Sequence, residues 1–204
     1  MNLQQVIFAR LYRRAPSVEA LPWHRDDPPT LLARAIEHRA APGRALDLGC
    51  GQGVHAVHLA QQGYSVVATD FVPAALAATK DRADRAGVQI ELHECDVVDL
   101  RAASPFDIVL DSGCLHHLPR RKVAAYRRRL DEWLAPGGDY ILVHFLHRPR
   151  VGWIPKGPAF LRRDQAIQLF APFELQAYDE TDFDVPFPMG RMRAGVYWFT
   201  RPPL

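Results

Sequence analysis

The chain has 204 residues, 48% of them hydrophobic, and carries 25 Lys and Arg against 23 Asp and Glu. This length accommodates one domain with its own hydrophobic core, and the near-neutral charge lacks the positive excess of a dedicated nucleic-acid binder. No run of residues has the form of a signal peptide or of a membrane span. We therefore expect a single domain with neither a membrane nor a nucleic acid as its partner.

The cysteines favour a reducing compartment. Cys50, Cys95 and Cys114 are odd in number and far apart, and none belongs to a C-x-x-C pair. This pattern is not typical of a disulfide framework or of a structural zinc site. We therefore expect a cytoplasmic protein.

Residues 1–29 precede the first predicted sheet unit. Apolar residues recur at helical spacing within residues 2–14, and a stretch with Trp23, His24 and several prolines follows. We expect this N-terminal part to form a helical lid over a site.

From about residue 30 onward, short runs rich in Val, Ile and Leu alternate with longer helical patterns. This alternation is typical of βαβ units around a parallel sheet, and so predicts an α/β fold. Thr30 is predicted to cap the first helix of this part, and Gly87 to end the helix that begins at Pro73. The predicted strands are 44–49, 65–70, 88–94, 106–111 and 139–145, and the predicted helices are 31–40, 54–62, 74–86 and 121–134.

The tail differs from the part before it. Residues 173–179 and 195–201 are two strand-like runs joined by a Pro-rich link, and we expect them to form an antiparallel pair at one edge of the sheet. The segment Arg148–Phe160 is rich in Pro and Gly, which favours a loop over a site.

A glycine-rich turn carries the strongest signal for function. The sequence ALDLGCGQGVHAV runs from a buried strand through Gly49, Gly51 and Gly53 into a helix. Glycines at such a turn let the backbone approach a ligand and leave amide N–H groups free at the helix start. Asp70 closes the second strand 17 residues after Gly53, near the spacing at which an acid meets a ribose. A nucleotide oxidoreductase and a tight turn with no ligand are the alternatives.

Five segments resemble, in their order, the motifs of class I methyltransferases that depend on S-adenosylmethionine (SAM). They are LDLGCGQG, VVATD, ECDVVDL, FDIVLDSGCLHHL and LAPGG, and they span roughly Arg44 to Phe145. The resemblance implies a Rossmann-like, seven-stranded, mostly parallel sheet with helices on both faces and an antiparallel last strand. It divides the domain into a lid (1–29), a SAM-binding core (30–145) and a substrate loop with a C-terminal strand pair (146–204).

The resemblance assigns SAM as the cofactor and implies how it is held. Asp47 faces the amino end of the methionyl part, Asp70 holds the ribose, and Asp96 accepts from the adenine amino group. Phe71 and Val97 pack on the two faces of the adenine ring. The full set of predicted cofactor residues is Asp47, Gly49, Cys50, Gly51, Gly53, Asp70, Phe71, Asp96, Val97 and Asp111.

These assignments have alternatives. Asp96 is also suited to cap a helix or turn, and Asp47 to hold loop amides. A nicotinamide-dependent reductase would use the same glycines and Asp70, but the turn reads G-C-G-Q-G instead of the G-x-G-x-x-G that a pyrophosphate favours. A regulatory module that binds SAM without transferring its methyl group is a further alternative.

The candidate catalytic and substrate residues lie outside the glycine turn. His116 and His117 follow the fourth strand, at the sheet edge where ligands bind in open α/β folds, and are candidate bases. Capping or packing is their alternative role, because only a weakly acidic alcohol or a protonated amine needs a base. Trp23, His24 and Trp153 are the candidate substrate contacts. The segment LPWHRDDPP, which contains the first two, resembles the N-terminal part of thiopurine-type and tellurite-resistance-type methyltransferases.

Two other patterns in the sequence bear on function. The basic helix from Arg120 to Arg129 is better explained by a solvated face than by an RNA or acidic protein partner. His55 and His58 have helical spacing but no complete ligand set, so no metal is expected. The predicted acceptor is a small N, O or S nucleophile, such as a secondary metabolite or a xenobiotic thiol.

Overall fold

A computed structural model of the chain describes residues 3–21, 23–146, 161–185 and 190–203. The helices and strands of these residues alternate along most of the chain. The helices are α1 Leu3–Arg14, α2 Thr30–His38, α3 Val54–Gln61, α4 Pro73–Ala86, α5 Arg120–Trp133 and α6 Arg163–Phe170. The strands are β1 Arg44–Leu48, β2 Ser65–Asp70, β3 Ile90–Glu94, β4 Phe106–Ser112, β5 Leu134–Phe145, β6 Glu174–Val185 and β7 Gly190–Thr200.

The seven strands form one sheet in the order β3-β2-β1-β4-β5-β7-β6. The first five strands pair in parallel, whereas β7 runs antiparallel to both β5 and β6. This arrangement confirms the predicted mostly parallel sheet with an antiparallel last strand. The chain moves outward from β1 to β3 and then returns to β4 beside β1, so the order of strands reverses between β1 and β4. In open α/β sheets, ligands bind beyond the carboxyl ends of the strands at such a point.

Helices cover both faces of the sheet, as buried parallel strands require. On one face α5 and α6 pack on β1, β4 and β5, and Leu130, Trp133 and Phe170 are buried there. On the other face α2, α3 and α4 bury Leu32, Leu59 and further apolar side chains against the same strands. Because both faces are sealed in this way, the carboxyl edge of the sheet is left as the place for a site.

Most predicted elements agree with the structure to within a few residues, but Thr30 does not cap α2. Pro29 occupies the N-cap position without a side-chain hydrogen bond, and Thr30 is the first helical residue. Both ends of α4 agree with the prediction. Pro73 is at the first turn, and Gly87 ends the helix at a φ of 68°. Proline fits the first turn of a helix because the N–H that it lacks has no partner there.

The strand β5 begins at Leu134, five residues before the predicted strand 139–145. The Pro-Gly-Gly segment at residues 136–138 is therefore part of the strand. Its backbone is paired, because Gly137 N donates to Arg201 O and Arg201 N donates to Gly138 O, both at 2.9 Å. An irregularity in the register with β4, between Phe106 and Ile108, accommodates the extra residues.

The C-terminal part contains one helix that the sequence did not predict and a longer strand pair than expected. Helix α6 lies between the predicted loop and β6. The two strands β6 and β7 extend the hairpin to Val185 and Gly190, and the pair Arg191–Asp182 bridges them at 2.7 Å. The predicted loop Arg148–Phe160, and with it Trp153, lies outside the described residues. No helix among the described residues is both long and apolar enough to cross a membrane.

Candidate active site

A cavity of about 230 Å³ opens at the carboxyl edge of the sheet. Its walls come from the turn after β1, the ends of β2, β4 and β5, and the turn that follows β3. Helix α1 and the segment after it close the cavity from above, with Phe8, Tyr12 and Trp23 in its lining. The cavity therefore lies where the strand order reverses, as the parallel topology predicts.

The glycine turn forms the floor of this cavity. Gly49, Gly51 and Gly53 all have positive φ, at 68°, 58° and 74°. A Cβ added at Gly51 would lie 3.3 Å from the hydroxyl of Tyr12, so a side chain there would meet helix α1. Gly49 and Gly51 line the cavity together with Cys50. Burial raises the pKa of the Cys50 thiol, which therefore stays protonated.

Gly53 serves packing rather than the cavity wall. It is the N-cap of α3 and does not line the cavity, unlike the two glycines before it. A Cβ added there would lie 2.5 Å from Cγ2 of Thr79 on α4. The hydroxyl of Thr79 donates to Gly51 O at 3.0 Å, so α4 and the turn are held against each other. Only glycine combines this backbone conformation with so close an approach.

Asp47 lies at the cavity with an unpaired oxygen. The residue is 2% exposed, lines the cavity, and its Oδ2 has no hydrogen-bond partner. Burial, with the nearby carboxylates of Asp111 and Asp70, raises the pKa of Asp47 to about 7. A buried carboxylate oxygen without a donor is costly, and this oxygen is therefore suited to a cationic or hydrogen-bond-donating ligand.

Asp70 ends β2 and lines the same cavity. Its Oδ2 accepts from Gly51 N at 3.0 Å and its Oδ1 accepts from Val72 N at 2.9 Å. Burial raises the pKa of Asp70, whereas these backbone donors lower it. Each carboxylate oxygen keeps a second lone pair, so the side chain can hold the turn and still accept from a ligand hydroxyl.

Asp96, Phe71 and Val97 also line the cavity. Asp96 also caps the short turn Val97–Asp99, because its Oδ1 accepts from Val98 N at 3.3 Å. Its Oδ2 forms an ion pair with Lys122 of α5. The capping alternative raised for Asp96 is therefore present in the structure, alongside its position in the cavity wall.

Asp111 has a different place from the other predicted cofactor residues. It does not line the cavity, and it is completely buried beneath the turn after β4. Its oxygens accept from Cys114 N at 2.7 Å and from Leu115 N at 3.0 Å. Tyr126 of α5 donates to the same carboxylate at 2.5 Å. These contacts hold the turn that carries the candidate histidines, and they leave little capacity for a ligand.

His116 and His117 both line the cavity. The ring of His116 lies 4.4 Å from that of Phe145 at an interplanar angle of 32°, and 5.6 Å from that of His144. The ring of His117 contacts that of Phe8 on α1 edge to face, with centroids 5.0 Å apart. Burial lowers the pKa of His117 to about 4 and that of His116 well below its usual value. Both imidazoles are therefore neutral at pH 7 and are weak bases.

The two N-terminal substrate candidates differ in their position. Trp23 lines the cavity and packs against Phe8 at 5.3 Å. His24 does not line it; its Nδ1 lies 3.0 Å from Oε1 of Gln52 and its Nε2 lies 3.0 Å from Oδ1 of Asp26. His24 thus supports the turn from behind. The third candidate, Trp153, lies outside the described residues.

Several cavity residues were not predicted. Phe8 and Tyr12 lie on one face of α1, and the Tyr12 hydroxyl is buried without a hydrogen-bond partner. The helical spacing of apolar residues within 2–14 was a usable signal for that face. Cys114 and Met192 also line the cavity. Met192 belongs to β7, which is far from the motifs in sequence, so no local pattern indicated that it lines the cavity.

No group of three or more His, Cys, Asp or Glu side chains suited to hold a metal ion occurs in the part of the chain that the structure describes. The three cysteines are free thiols.

Comparison with known proteins identifies the core. The model of a methyltransferase domain family matches residues 45–138. A 2-heptyl-1-hydroxyquinolin-4(1H)-one methyltransferase of Mycobacteroides abscessus is 29% identical over 150 residues, which cover 71% of this chain and 65% of that relative. The match therefore spans less than two thirds of the relative's length.

Solved structures share the whole architecture. A protein studied for the conversion of a disulfide bond into a thioacetal group during echinomycin biosynthesis has a TM-score of 0.76 and 25% identity, over 98% of this chain and 92% of that one. The 1,6-didemethyltoxoflavin-N1-methyltransferase of Burkholderia thailandensis, solved with S-adenosylhomocysteine, has a TM-score of 0.71 and 23% identity, over 98% and 87% of the two chains. At 23% identity, the likeness to the B. thailandensis enzyme shows a shared fold and no more. The family match, the ordered motifs and the cavity where the strand order reverses make residues 45–138 similar to a methyltransferase domain.

Proposed function

We propose that this protein transfers the methyl group of SAM to an N, O or S nucleophile of a small molecule. The observation that carries the proposal is the cavity over the glycine turn, in which the buried Oδ2 of Asp47 has no partner in the protein. A nicotinamide-dependent reductase is not favoured, because the family match and the G-C-G-Q-G turn both favour methyltransferases.

The described residues fit SAM in charge and in shape. The free oxygen of Asp47 is suited to accept from the methionyl ammonium group, which would stabilise a carboxylate that burial now disfavours. Asp70 keeps acceptor capacity for the ribose hydroxyls. Phe71 and Val97 line the cavity near Asp96, where the resemblance places adenine.

The lid supplies two further donors. A Cβ at Gly51 would lie 3.3 Å from the hydroxyl of Tyr12 and 3.7 Å from Nε1 of Trp23. Both groups are therefore close to the backbone bend that the methionyl part would pass. We assign them to the anionic end of the cofactor, since a phenol O–H and an indole N–H are both able to donate to a carboxylate.

When bound, SAM supplies a methyl group already activated by its sulfonium. The chain's own residues then have to orient an acceptor in line with that methyl group and exclude water. Orienting two reactants in this way lowers the activation free energy by roughly 7–11 kcal/mol. The lid residues Phe8, Tyr12 and Trp23 cover the cavity, and so provide the exclusion of water.

His116 and His117 are proposed to border the acceptor. Because their pKa values are lowered, both imidazoles are neutral and are weak bases. Their proposed role is to position an acceptor by hydrogen bonding. The earlier hypothesis that either acts as a base is tested by replacing each with Asn. If single-turnover rates are unchanged across pH, neither histidine takes a proton.

We propose that residues 1–29 are the lid, 30–145 the cofactor core, and 146–204 the substrate loop and strand pair. We also propose a cytoplasmic location, which suits the free thiols of the chain, and no nucleic-acid partner. Trp23 and Trp153 remain proposed substrate contacts, whereas His24, which does not line the described cavity, is proposed to support the glycine turn. The M. abscessus relative, named for a hydroxyquinolone, and the B. thailandensis structure, named for a toxoflavin precursor, support a heterocyclic acceptor.

Isothermal titration calorimetry with SAM, S-adenosylhomocysteine and NADH tests the cofactor. We expect binding of the first two and none of the third. Incubation with methyl-labelled SAM and a panel of small phenols, thiols and heterocycles then tests transfer. A protein that binds neither adenosyl compound would contradict the proposal, and one that binds both but labels no acceptor would be a regulatory module.

A further inference from the structure

The cavity has two halves that differ in chemistry. The half over β1 and β2 contains carboxylates, namely Asp47, Asp70 and, from the turn after β3, Asp96. The half over β4, β5 and β7 is here called the acceptor half, and its lining includes Cys114, His116, His117, Val143, Phe145 and Met192. The sheet order separates the two halves, since β4, β5 and β7 all lie on the other side of β1 from β2 and β3.

No Asp, Glu, Lys or Arg belongs to the acceptor half as far as the described residues line it. Its titratable groups are also uncharged at pH 7. Burial raises the pKa of the Cys114 thiol well above its usual value, so the thiol stays protonated. Burial lowers the pKa of His117 to about 4 and that of His116 well below its usual value.

The other titratable groups of the described cavity lining come from α1, the segment after it, β1 and the glycine turn, α3, β2 and the turn after β3, and His144 lies outside the lining. Tyr12 is next to Gly51, and Arg25 donates to the carbonyl of His24, whose ring contacts Gln52 of the glycine turn. His144 packs behind His116, and burial lowers its pKa to about 4. The remaining groups are Asp47, Cys50, His55, Asp70 and Asp96, all of which line the half that faces the glycine turn or β3.

The walls of the acceptor half are aromatic. The rings of His116 and Phe145 lie 4.4 Å apart and are inclined by 32°, so they pack on each other within one wall of the cavity. Phe8 of the lid closes the space above and meets His117 at an angle of 84°. Aromatic walls of this kind pack best against a flat ring.

We propose that the methyl acceptor is a flat, largely apolar aromatic acid, with an acidic ring O–H or N–H, and that it binds as its anion beside the sulfonium. This inference rests on the proposed methyl transfer and specifies the substrate class of the same site. The described acceptor half offers no protein cation to a charged acceptor, so the positive charge of the cofactor is its counterion.

The chemistry balances without a protein base. The acceptor loses its proton to water before it binds, and its oxygen or nitrogen keeps the electron pair. That pair forms the new bond to the methyl carbon, while the carbon–sulfur bond breaks and its electrons remain on sulfur as the neutral thioether. The ion pair becomes two neutral products, and an apolar pocket favours that change because it solvates separated charges poorly.

The weak basicity of the histidines supports this choice of acceptor. A weakly acidic alcohol would have to pass its proton to an imidazole whose pKa burial has lowered to about 4, as for His117. Such a transfer is strongly uphill. An acceptor that is already ionised near neutral pH avoids the step.

Absorption spectroscopy tests the proposal without measuring turnover. The probes are 4-nitrophenol and 1-nitro-2-naphthol, whose anions are coloured, with 4-nitrobenzyl alcohol and 4-nitrobenzylamine as weakly acidic and cationic counterparts. Each is titrated into the protein saturated with sinefungin, which carries a positive amine in place of the sulfonium, or with neutral S-adenosylhomocysteine. The pH is set so that most of the free nitrophenol is protonated.

We expect the anion band to appear on binding to the sinefungin complex, with affinity at least tenfold higher than for the S-adenosylhomocysteine complex. The alcohol and the amine should bind at least tenfold more weakly. Met192→Glu should abolish anion binding by repulsion, whereas Met192→Gln, a neutral change of similar size, should retain most of it. Calorimetric binding of sinefungin by each variant shows that its cofactor half is intact.

Binding of the probes in their protonated form, equal affinity for the amine, or no binding of either nitro acid to a sinefungin-loaded protein would each overturn the proposed acceptor class. Failure to bind sinefungin and S-adenosylhomocysteine would instead refute the proposed function itself, so the two failures are distinguishable.

Discussion

The hydroxyl of Tyr126 on α5 donates a 2.5 Å hydrogen bond to Oδ2 of Asp111 at the end of β4. Both residues are fully buried, and the same hydroxyl lies 3.0 Å from that of Tyr140. Since Asp111 also accepts from the amides of Cys114 and Leu115, the pair connects a helix on one face of the sheet to the turn that carries the cavity histidines.

Replacing this tyrosine should therefore destabilise the protein. Tyr126→Phe leaves a buried carboxylate with one donor fewer, and we expect a loss of about 1–3 kcal/mol in the free energy of unfolding. The pKa of Asp111, already raised to about 6 by burial, should rise further. A carboxyl group whose pKa is higher in the folded state than in the unfolded state destabilises the folded state once the pH exceeds the unfolded-state pKa. The loss of stability in Tyr126→Phe should therefore be larger at pH 8 than at pH 5.

Urea denaturation at the two pH values measures this effect. Tyr197→Phe is the matched control, because Tyr197 is equally buried in the same core and its hydroxyl has no hydrogen-bond partner. A loss from Tyr126→Phe no greater than that from the control would contradict the assigned role.

The raised pKa of Asp47 predicts how cofactor binding depends on pH. Without ligand its pKa is about 7, and an ammonium ligand requires the ionised carboxylate. Binding should therefore release a proton below pH 7, and the affinity for S-adenosylhomocysteine should fall about tenfold between pH 8 and pH 6. The stability of the unliganded protein should show the opposite trend and fall as pH rises from about 4 to 7. The reason is that the folded state holds the proton of Asp47 more tightly than the unfolded state does.

Calorimetry in buffers of different ionisation enthalpy reports both the affinity and the number of protons released. In Asp47→Asn the affinity should be lower and its pH dependence much flatter. Asp131→Asn, at a half-exposed surface aspartate, should behave like the unmodified protein. Equal affinity at pH 6 and pH 8 in the unmodified protein would show that Asp47 does not meet the ammonium group.

Tyr12 is predicted to hold the cofactor from the lid. Its buried hydroxyl has no partner in the protein and faces the bend at Gly51. Tyr12→Phe should weaken S-adenosylhomocysteine binding about tenfold, as expected for one hydrogen bond to a charged group, and should leave the melting temperature of the unliganded protein unchanged. Tyr178→Phe, which removes an exposed hydroxyl bonded to Glu180, is the control and should change neither quantity. An unchanged affinity in Tyr12→Phe would exclude the contact.

The two glycines Gly53 and Gly87 allow backbone strain to be separated from packing. Both have positive φ, at 74° and 68°, but a Cβ at Gly53 would collide with Thr79, whereas nothing lies within 4 Å of one at Gly87. Gly87→Ala should cost about 1–2 kcal/mol for the left-handed conformation alone. Gly53→Ala should cost about 1–3 kcal/mol more, because the helices α3 and α4 must move apart. Thermal unfolding of the two variants checks the difference, and equal losses would mean that the contact with Thr79 relaxes freely.

The strands and helices of the core were predictable because their signals are local. The apolar run of β2 and the bounds of α4 between Pro73 and Gly87 depend on residues that are neighbours in sequence, and so does the glycine turn after β1. By contrast, the strand assignment of residues 134–138 depends on backbone pairing with Arg201, which no local pattern encodes.

By itself, the sequence determined the alternating architecture and the chemical class of the site, because hydrophobic periodicity and motif spacing are properties of short segments. Only the tertiary structure decided that Asp111 supports a turn from beneath, that Lys122 pairs with Asp96, and that Tyr12 covers Gly51. The physical reason is that burial and electrostatic coupling depend on distance in space. Residues 15, 26 and 39 positions apart in the chain meet only after helices and lid have packed on the sheet.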